Sequence, residues 1–382
     1  MRICLVYDCI YPHTIGGAER WYRNLGERLA EAGHEVTYLT RRQWPKGEDP
    51  GVPGVRVVPV TGEMALYTEG GRRRIAPPIV FGLGVLWHLL IHGRRYDIVH
   101  TAAFPYFSVI AAAAARRVHG FSLFVDWHEV WTRSYWTEYL GRLQGFVGWT
   151  VQRLCLKIRQ RAFCFARMTA ERCREEGIRD PVTVLSGLYT GSHTQSEVTE
   201  SVPLVMFAGR HIPEKRVPDL VPAIERARTR LPELRCVIFG DGPERGKVQR
   251  LVAEHGLEDV IELPGFVDGE RIDATMAHAL CMVLPSRREG YGMVVVEAAS
   301  WGTPSVVVAD PDNAATELVD DGENGIVASS TSPEDLANAI LEIHEQGRAL
   351  RESTANWFRR NAPRVALARS VEQVAEIYAR RR

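Results

Sequence analysis

The sequence has no excess of either charge: 47 Lys and Arg balance 47 Asp and Glu over 382 residues. That excludes the strongly basic field that draws a protein to nucleic acid, and the acidic field that suits a basic partner. There is no CxxC pair. The seven cysteines (Cys4, Cys9, Cys155, Cys164, Cys173, Cys236, Cys281) are scattered and odd in number. They argue against a disulfide framework and a structural zinc, and for a reducing cytosol. A GxGxxG dinucleotide fingerprint and a GxSxG hydrolase elbow are both missing. Asp310-Pro311-Asp312 is a formal DxD, but no cluster of His, Cys and Asp supports it, so neither a metal nor another cofactor is expected. No uninterrupted apolar run reaches the roughly 20 residues of a membrane span. The longest apolar stretch, residues 75–91 (IAPPIVFGLGVLWHLLI), is broken by Pro77, Pro78 and two glycines. Arginines flank it at 72–74 and 94–95, a pattern that suits peripheral contact with an anionic membrane surface. A core helix with solvated ends accounts for it too. The chain opens on residues 2–7, read as a strand with no signal peptide ahead of it.

What is present is a repeated alternation of apolar strands and amphipathic helices. Strand-like runs fall at 2–7, 35–40, 55–60, 97–101, 121–125, 163–168 and 182–185. A helix is predicted over residues 17–32, with Ala18, Trp21, Tyr22, Leu25 and Leu29 at helical spacing. Residues 187–201 are poor in aliphatics and read as a linker. The alternation then resumes with strands at 204–208, 236–239, 260–263, 280–284 and 305–308, and helices near 217–230 and 244–255. The last segment, 349–382, reads as helical and rich in arginine. The pattern predicts an α/β protein of two domains, each built on a parallel sheet covered on both faces. Ligands of such sheets bind beyond the carboxyl ends of the strands, so the natural site is a cleft between the domains.

Residues 285–299 (PSRREGYGMVVVEAA) concentrate the chemistry. Glu289 and Glu297 lie eight positions apart around a Gly-x-Gly turn, between an apolar strand and a segment read as a helix. Amides near residues 291–294 would then face a bound anion at a helix start. One carboxylate can accept from sugar hydroxyls and the other from a ribose diol, while backbone amides hold phosphate. Val294, Val295 and Val296 are all β-branched and also permit a buried strand.

Other candidates also follow strand-like runs. Gly16-Gly17 before the first helix lets backbone amides approach a phosphate or sugar closely. Gly209 ends a strand, and Arg210 and Lys215 follow it five apart, able to neutralise a diphosphate leaving group. A solvated basic loop or a plain turn explains either one taken alone. His128, in Asp126-Trp127-His128-Glu129, can hydrogen-bond a sugar hydroxyl, or it can be structural. Asp126 and Glu129 could contact an acceptor. Trp127, Trp131, Tyr135, Trp136 and Tyr139 could stack on sugar or lipid, or fill a core.

In order along the chain stand Gly16-Gly17-Ala18-Glu19, Ala208-Gly209-Arg210 with Glu214-Lys215, Phe239-Gly240-Asp241-Gly242-Pro243, Pro264-Gly265-Phe266-Val267, the E-x7-E segment, and residues 318–325 (LVDDGENG). Together they resemble the family 4 glycosyltransferases, retaining enzymes of the GT-B fold. The likeness runs over nearly the whole chain and is most specific in the second half. It implies two Rossmann-like domains facing across a cleft: 1–190 for the acceptor, 202–360 for a nucleotide-sugar donor, and 361–382 as a C-terminal helix crossing back to the first.

By the same resemblance, Arg210 and Lys215 hold the diphosphate, Glu297 the ribose and Glu289 the donor sugar. The amides of Tyr291, Gly292, Met293 and Val294 approach sugar and phosphate. The loop of Gly265 and Val267 lies near the base, Gly16 and Gly17 close on the donor, and His128 contacts its sugar. His128, Arg210, Lys215 and Glu289 are the catalytic set. The remaining positions, Gly209 among them, bind donor. One departure stands out. The family's glycine pair and Pro-Glu are replaced after residue 308 by residues 309–315 (ADPDNAA).

The expected activity is metal-independent transfer from a nucleotide diphosphate sugar, UDP by default and GDP or ADP otherwise. The acceptor hydroxyl would attack from the front face, with retention. Its carrier is open: glycan, lipid-linked or small molecule. Rival readings are a nucleotide-sugar-binding protein without activity and a GT-B-type nucleotide-sugar epimerase. The expected compartment is the cytoplasm, or the inner face of a membrane.

Overall fold

A computed structural model describes residues 1–65, 74–191 and 198–380. Arg72 and Arg73 of the predicted basic flank, and residues 192–197 of the predicted linker, lie outside them. By internal packing the chain divides into two compact units. Unit 1 comprises Met1–Gly187 and Leu367–Arg382, and unit 2 comprises Leu188–Ala366.

Unit 1 carries a seven-stranded parallel sheet in the order β3-β2-β1-β4-β5-β6-β7. Its strands are β1 Arg2–Val6, β2 Glu35–Arg41, β3 Val55–Thr61, β4 Ile98–Ala102, β5 Ser122–Trp127, β6 Arg161–Cys164 and β7 Val182–Val184. Between them run α1 Gly17–Glu31, α2 Ala76–His92, α3 Tyr106–His119, α4 Arg133–Leu140, α5 Arg142–Leu156 and α6 Arg167–Glu175. The order reverses between β1 and β4, the switch point at which doubly wound sheets open a crevice.

Unit 2 carries a six-stranded parallel sheet, β10-β9-β8-β11-β13-β15. These strands are β8 Val202–Ala208, β9 Arg235–Phe239, β10 Ile261–Gly265, β11 Ala279–Leu284, β13 Ser305–Val308 and β15 Gly325–Ala328. Two further short strands, β12 Arg288–Glu289 and β14 Asp312–Asn313, pair with each other beyond the ends of β11 and β13. The helices are α7 Leu220–Arg228, α8 Arg245–Glu254, α9 Gly269–His278, α10 Met293–Ser300 and α11 Pro333–Val365. Here the switch point lies between β8 and β11.

Covering both faces of a parallel sheet leaves no face for polar alternation. Accordingly every residue of β11 (ALCMVL) and β13 (SVVV) is buried. The two halves are thus the α/β, Rossmann-like type predicted. Local differences have local causes. Residues 163–168, read as one strand, split: β6 ends at Cys164 and α6 begins at Arg167. Val294, Val295 and Val296 are helical, within α10. β15 was not anticipated, because its four residues follow directly on a turn-rich motif. The predicted terminal helix is two elements. α11 is broken at Gly347, in the left-handed region at φ 52°, and α12 Leu367–Ala379 belongs to unit 1.

A buried polar chain ties α12 into unit 1. Asp126 on β5, fully buried, accepts from Trp21 Nε1 at 2.7 Å and from His100 Nε2 at 2.7 Å. The other ring nitrogen of His100, Nδ1, meets the Tyr378 hydroxyl of α12 at 2.5 Å. Burial pushes the Asp126 carboxyl up, but His100 and Trp21 outweigh it and hold Asp126 below its usual range. An ionised carboxylate can only accept, so Nε2–H of His100 donates to Asp126, while Nδ1 shares its hydrogen bond with the Tyr378 hydroxyl.

Candidate functional site

The site of unit 2 is assembled from the loops at the carboxyl ends of β8, β11 and β13. After β8 the chain runs through Gly209, exposed Arg210 and a short 3-10 turn, Pro213–Lys215. After β11 it runs through Ser286 to Glu289 and the Tyr291-Gly292 turn into α10. Lys215 Nζ donates to Glu289 Oε1. The same carboxylate oxygen accepts from Ser286 Oγ at 2.7 Å. Glu289 is 8 % exposed, so the ammonium and the hydroxyl compensate its desolvation. Two further contacts join these loops. Arg287 N–H donates to the Glu214 carbonyl at 2.9 Å, and the Arg288 guanidinium lies 3.6 Å from the Glu214 carboxylate.

The third loop holds the second. Asn313 Nδ2 donates to the carbonyls of Ser286 at 3.1 Å and Val308 at 2.8 Å, and its Oδ1 accepts from Ala315 N–H at 3.1 Å. Arg288 and Glu289 pair with Asp312 and Asn313 in the β12–β14 ladder. This is where the chain departs from the family pattern. Asp310 caps the Asp312 amide at 3.0 Å and lies 3.9 Å from Arg216. Arg216 adopts φ 48°, so the β8 loop passes through a left-handed residue directly after Lys215.

Two glycines here are dictated by space. Gly292, the N-cap of α10, has φ 96°, and a Cβ there would lie 2.6 Å from Ala315 Cβ. Gly240, at φ 105°, brings the β9 loop so near the β8 loop that a Cβ would lie 1.9 Å from the Gly209 carbonyl oxygen. With no side-chain cap at Gly292, the first amides of α10, at Met293 and Val294, point out of the helix start. Tyr291 is buried, and that burial pushes its phenol up. Glu297 lies half-buried on the second turn of α10. Val267 is half-buried in the loop that follows β10, after Gly265 at φ 80°.

In unit 2 the fold therefore brings Lys215 and Glu289 into contact and sets Gly209, Arg210, Tyr291, Gly292, Met293 and Val294 on the adjoining loops. Ser286 and Asn313 were missed. A serine three residues before a candidate carboxylate was a usable signal; for Asn313 only the β12–β14 pairing reveals the role.

Gly16, Gly17 and His128 belong to unit 1. Gly16 caps α1 in an extended conformation, and Gly17 is its first residue. His128 follows β5, its ring stacked on Phe165 at 4.7 Å and 5° between planes. Its Nε2 is buried without a hydrogen-bond partner among the described residues, and burial lowers the imidazole below its usual value. A neutral ring with a waiting nitrogen is suited to a hydroxyl ligand.

Two suggestions from the sequence are corrected here. Asp126 is consumed by His100 and Trp21 and cannot meet an acceptor. Trp127, Tyr135 and Trp136 are buried in the core of unit 1, so they offer no stacking surface. Glu129 accepts from Trp131 Nε1 at 2.8 Å. Among the described residues no group of three or more His, Cys, Asp or Glu is placed to hold a metal ion.

Residues 191–364 match the family described as Glycosyl transferases group 1, and residues 16–187 match the Glycosyl transferase 4-like domain. An alpha-D-kanosaminyltransferase of Streptomyces kanamyceticus is 30 % identical over 176 residues, 46 % of this chain and 45 % of that one. The match thus spans less than half of that relative's length. Sucrose-phosphate synthase of Thermosynechococcus elongatus has the same fold, with a TM-score of 0.80 at 19 % identity over 99 % of this chain and 98 % of that one. Anabaena HepE in complex with UDP aligns with a TM-score of 0.76 at 18 % identity, over 99 % of this chain and 100 % of that one. Two family matches in tandem, over residues 16–187 and 191–364, and shared architecture along the whole chain lead to one assignment: the chain belongs to the family 4 glycosyltransferases of the GT-B fold.

Proposed function

We propose that the protein transfers a glycosyl group from a nucleotide diphosphate sugar to a hydroxyl acceptor, with retention and without a metal. The observation that carries this is the Lys215–Glu289–Ser286 cluster, set between exposed Arg210 and the uncapped start of α10. Arg210 and Lys215 balance the diphosphate as charge develops on it, the work a metal does elsewhere. The amides of Met293 and Val294 add hydrogen bonds to the anion. Glu289, bonded by Lys215, accepts from donor-sugar hydroxyls, and Glu297 from the ribose. No carboxylate is assigned as an enzyme nucleophile. In the front-face route the acceptor oxygen forms the new bond on the side from which the diphosphate leaves. The departing diphosphate oxygen takes the acceptor's proton, so atoms and charge balance without an added base.

UDP is the preferred base, since the similar HepE structure holds UDP, with GDP and ADP as the other choices. Seven buried free thiols fit a reducing compartment, and the reading places the enzyme in the cytoplasm.

The test is mass spectrometry of products from a panel of nucleotide sugars and mixed acceptors, with thermal shift to rank donors. Transfer or donor hydrolysis supports the reading. Binding without turnover indicates a non-catalytic protein, and a changed donor sugar without acceptor indicates an epimerase. With a working donor, Arg210→Ala lowers turnover by about a hundredfold or more; wild-type turnover in the folded variant removes Arg210 from the mechanism.

A further inference from the structure

We propose that the outer face of the α2–α3–α5 layer of unit 1 docks on an anionic lipid bilayer surface. The three helices form one layer. Gly82 and Gly93 of the α2 segment approach Phe107 and His119 of the α3 segment so closely that a Cβ on either would collide. α3 in turn meets α5, where Cys155 Sγ lies 3.6 Å from the Tyr106 carbonyl. Their inner residues, including Phe81, Val85, Leu89, Val109, Ala112 and Cys155, fill one buried cluster. The sides turned away from that cluster are apolar as well. On α2 the exposed side chains Ile79, Val80, Leu83, Trp87, Leu90 and Ile91 recur at helical spacing along one stripe. On α5, Leu143, Phe146, Val147 and Leu154 make a second stripe, with Ile110 and Val118 of α3 exposed as well. Trp87 is 70 % exposed and Leu143 79 %. By contrast, the large hydrophobics exposed on the described part of unit 2 are Val202 and Phe266. An apolar face of this extent has a partner.

Charge selects that partner. The sequences of α2, α3 and α5 contain no Asp or Glu. Exposed arginines fringe the layer: Arg74 ahead of α2, Arg94 and Arg95 after it, Arg117 on α3 and Arg142 at the start of α5. A second copy docked through the same face would set arginine against arginine, because a two-fold interface repeats one patch on both sides. An anionic bilayer instead accepts apolar side chains below a plane of negative headgroups, and it suits a tryptophan at the boundary. The helical segment Ala76–Arg95, α2 with the turn that follows it, is long and apolar enough, by length and composition, to cross a membrane. The inner face of α2 is nevertheless committed to the core of unit 1, so contact along the surface is the mode that leaves the fold intact. The inference is independent of the catalytic reading.

The test is flotation of the full chain with phosphatidylcholine vesicles, with and without phosphatidylglycerol. Co-flotation with the anionic vesicles that weakens as salt is raised is expected, with little on the neutral ones. Replacing Arg94 and Arg95 together by Glu lowers the apparent affinity by about tenfold or more. Leu83→Gln with Trp87→Gln does so without changing charge. Val202→Gln, on unit 2, leaves flotation at the wild-type level. Circular dichroism verifies that each variant folds. The proposal is overturned if the wild type does not float with anionic vesicles, or if both α2 variants float as it does. It is likewise overturned if light scattering shows a dimer that Trp87→Gln dissolves while vesicles capture nothing, which would make a second copy the occupant.

Discussion

Glu289, in the role proposed for it, illustrates how a side chain can be prepared for a ligand before the ligand arrives. Its carboxylate is nearly out of solvent, yet Lys215 and Ser286 bond to one of its oxygens. The second oxygen is thereby set in a fixed direction, which lowers the entropy that the proposed binding of a sugar hydroxyl there would cost. Ser286 touches no substrate in this scheme and acts by positioning. Ser286→Ala removes a hydrogen bond to a charged group, worth about 1.5–3 kcal/mol. A fall in kcat/KM of roughly tenfold or more is expected, with partial recovery in Ser286→Thr. Steady-state kinetics of the two variants with the working donor distinguish this from a role in folding, which urea unfolding reads separately.

At the level of elements, α10 depends on a turn that only glycine makes without strain. Gly292 combines φ 96° with a 2.6 Å approach to Ala315, so alanine there forces either the turn or the residue 314–318 segment to move. Gly292→Ala should lower stability by about 1–3 kcal/mol, measured by urea unfolding, and weaken donor binding along with it. α2 makes a different prediction. Its His88 bonds to the Tyr96 hydroxyl at 2.8 Å, and burial, reinforced by His92, Arg56 and Arg95, pulls the imidazole from its usual 6.5 down to about 4. Because the folded-state value is depressed, the unfolded chain takes up the proton first. Stability attributable to neutral His88 is therefore complete above pH 6.5 and is lost as pH falls from 6.5 toward 4. In His88→Gln the decline in unfolding free energy between neutral pH and that lower limit should be shallower than in the wild type.

Over the whole molecule, the chain's return to unit 1 is secured by side chains, not by sheet pairing. Tyr378 of α12 is fully buried and bonds to His100, which reaches Asp126 and through it Trp21. The Ser370 hydroxyl accepts from Gly187 N–H at 3.0 Å, and Arg161 donates to the Ile377 carbonyl at 3.1 Å. Tyr378→Phe leaves His100 Nδ1 buried without its hydrogen-bond partner. The expected cost is about 1–3 kcal/mol in urea unfolding; an unchanged midpoint would show that water or a shifted neighbour replaces the hydroxyl.

The α/β class and most strand positions were legible in the residues alone, because a strand buried on both faces must be apolar throughout, as residues 280–284 and 305–308 are. The motifs of the candidate site were legible for a similar reason. Glycines and charges directly after an apolar run mark the carboxyl ends of strands, where backbone amides remain available. Local pattern did not settle Val294, Val295 and Val296, since β-branched residues suit either state. In the structure they follow the left-handed turn at Gly292 and are helical, within α10. Nor did it expose the contact of Lys215 with Glu289, 74 positions apart, or of His100 with Tyr378, 278 apart. Such pairs are joined by the order in which strands enter a sheet, which composition does not encode locally. Likewise the sequence by itself determined that α2 is apolar. Only the tertiary structure decided which of its two apolar faces is spent on the core and which is left for a partner, because that depends on where α3 and the sheet lie.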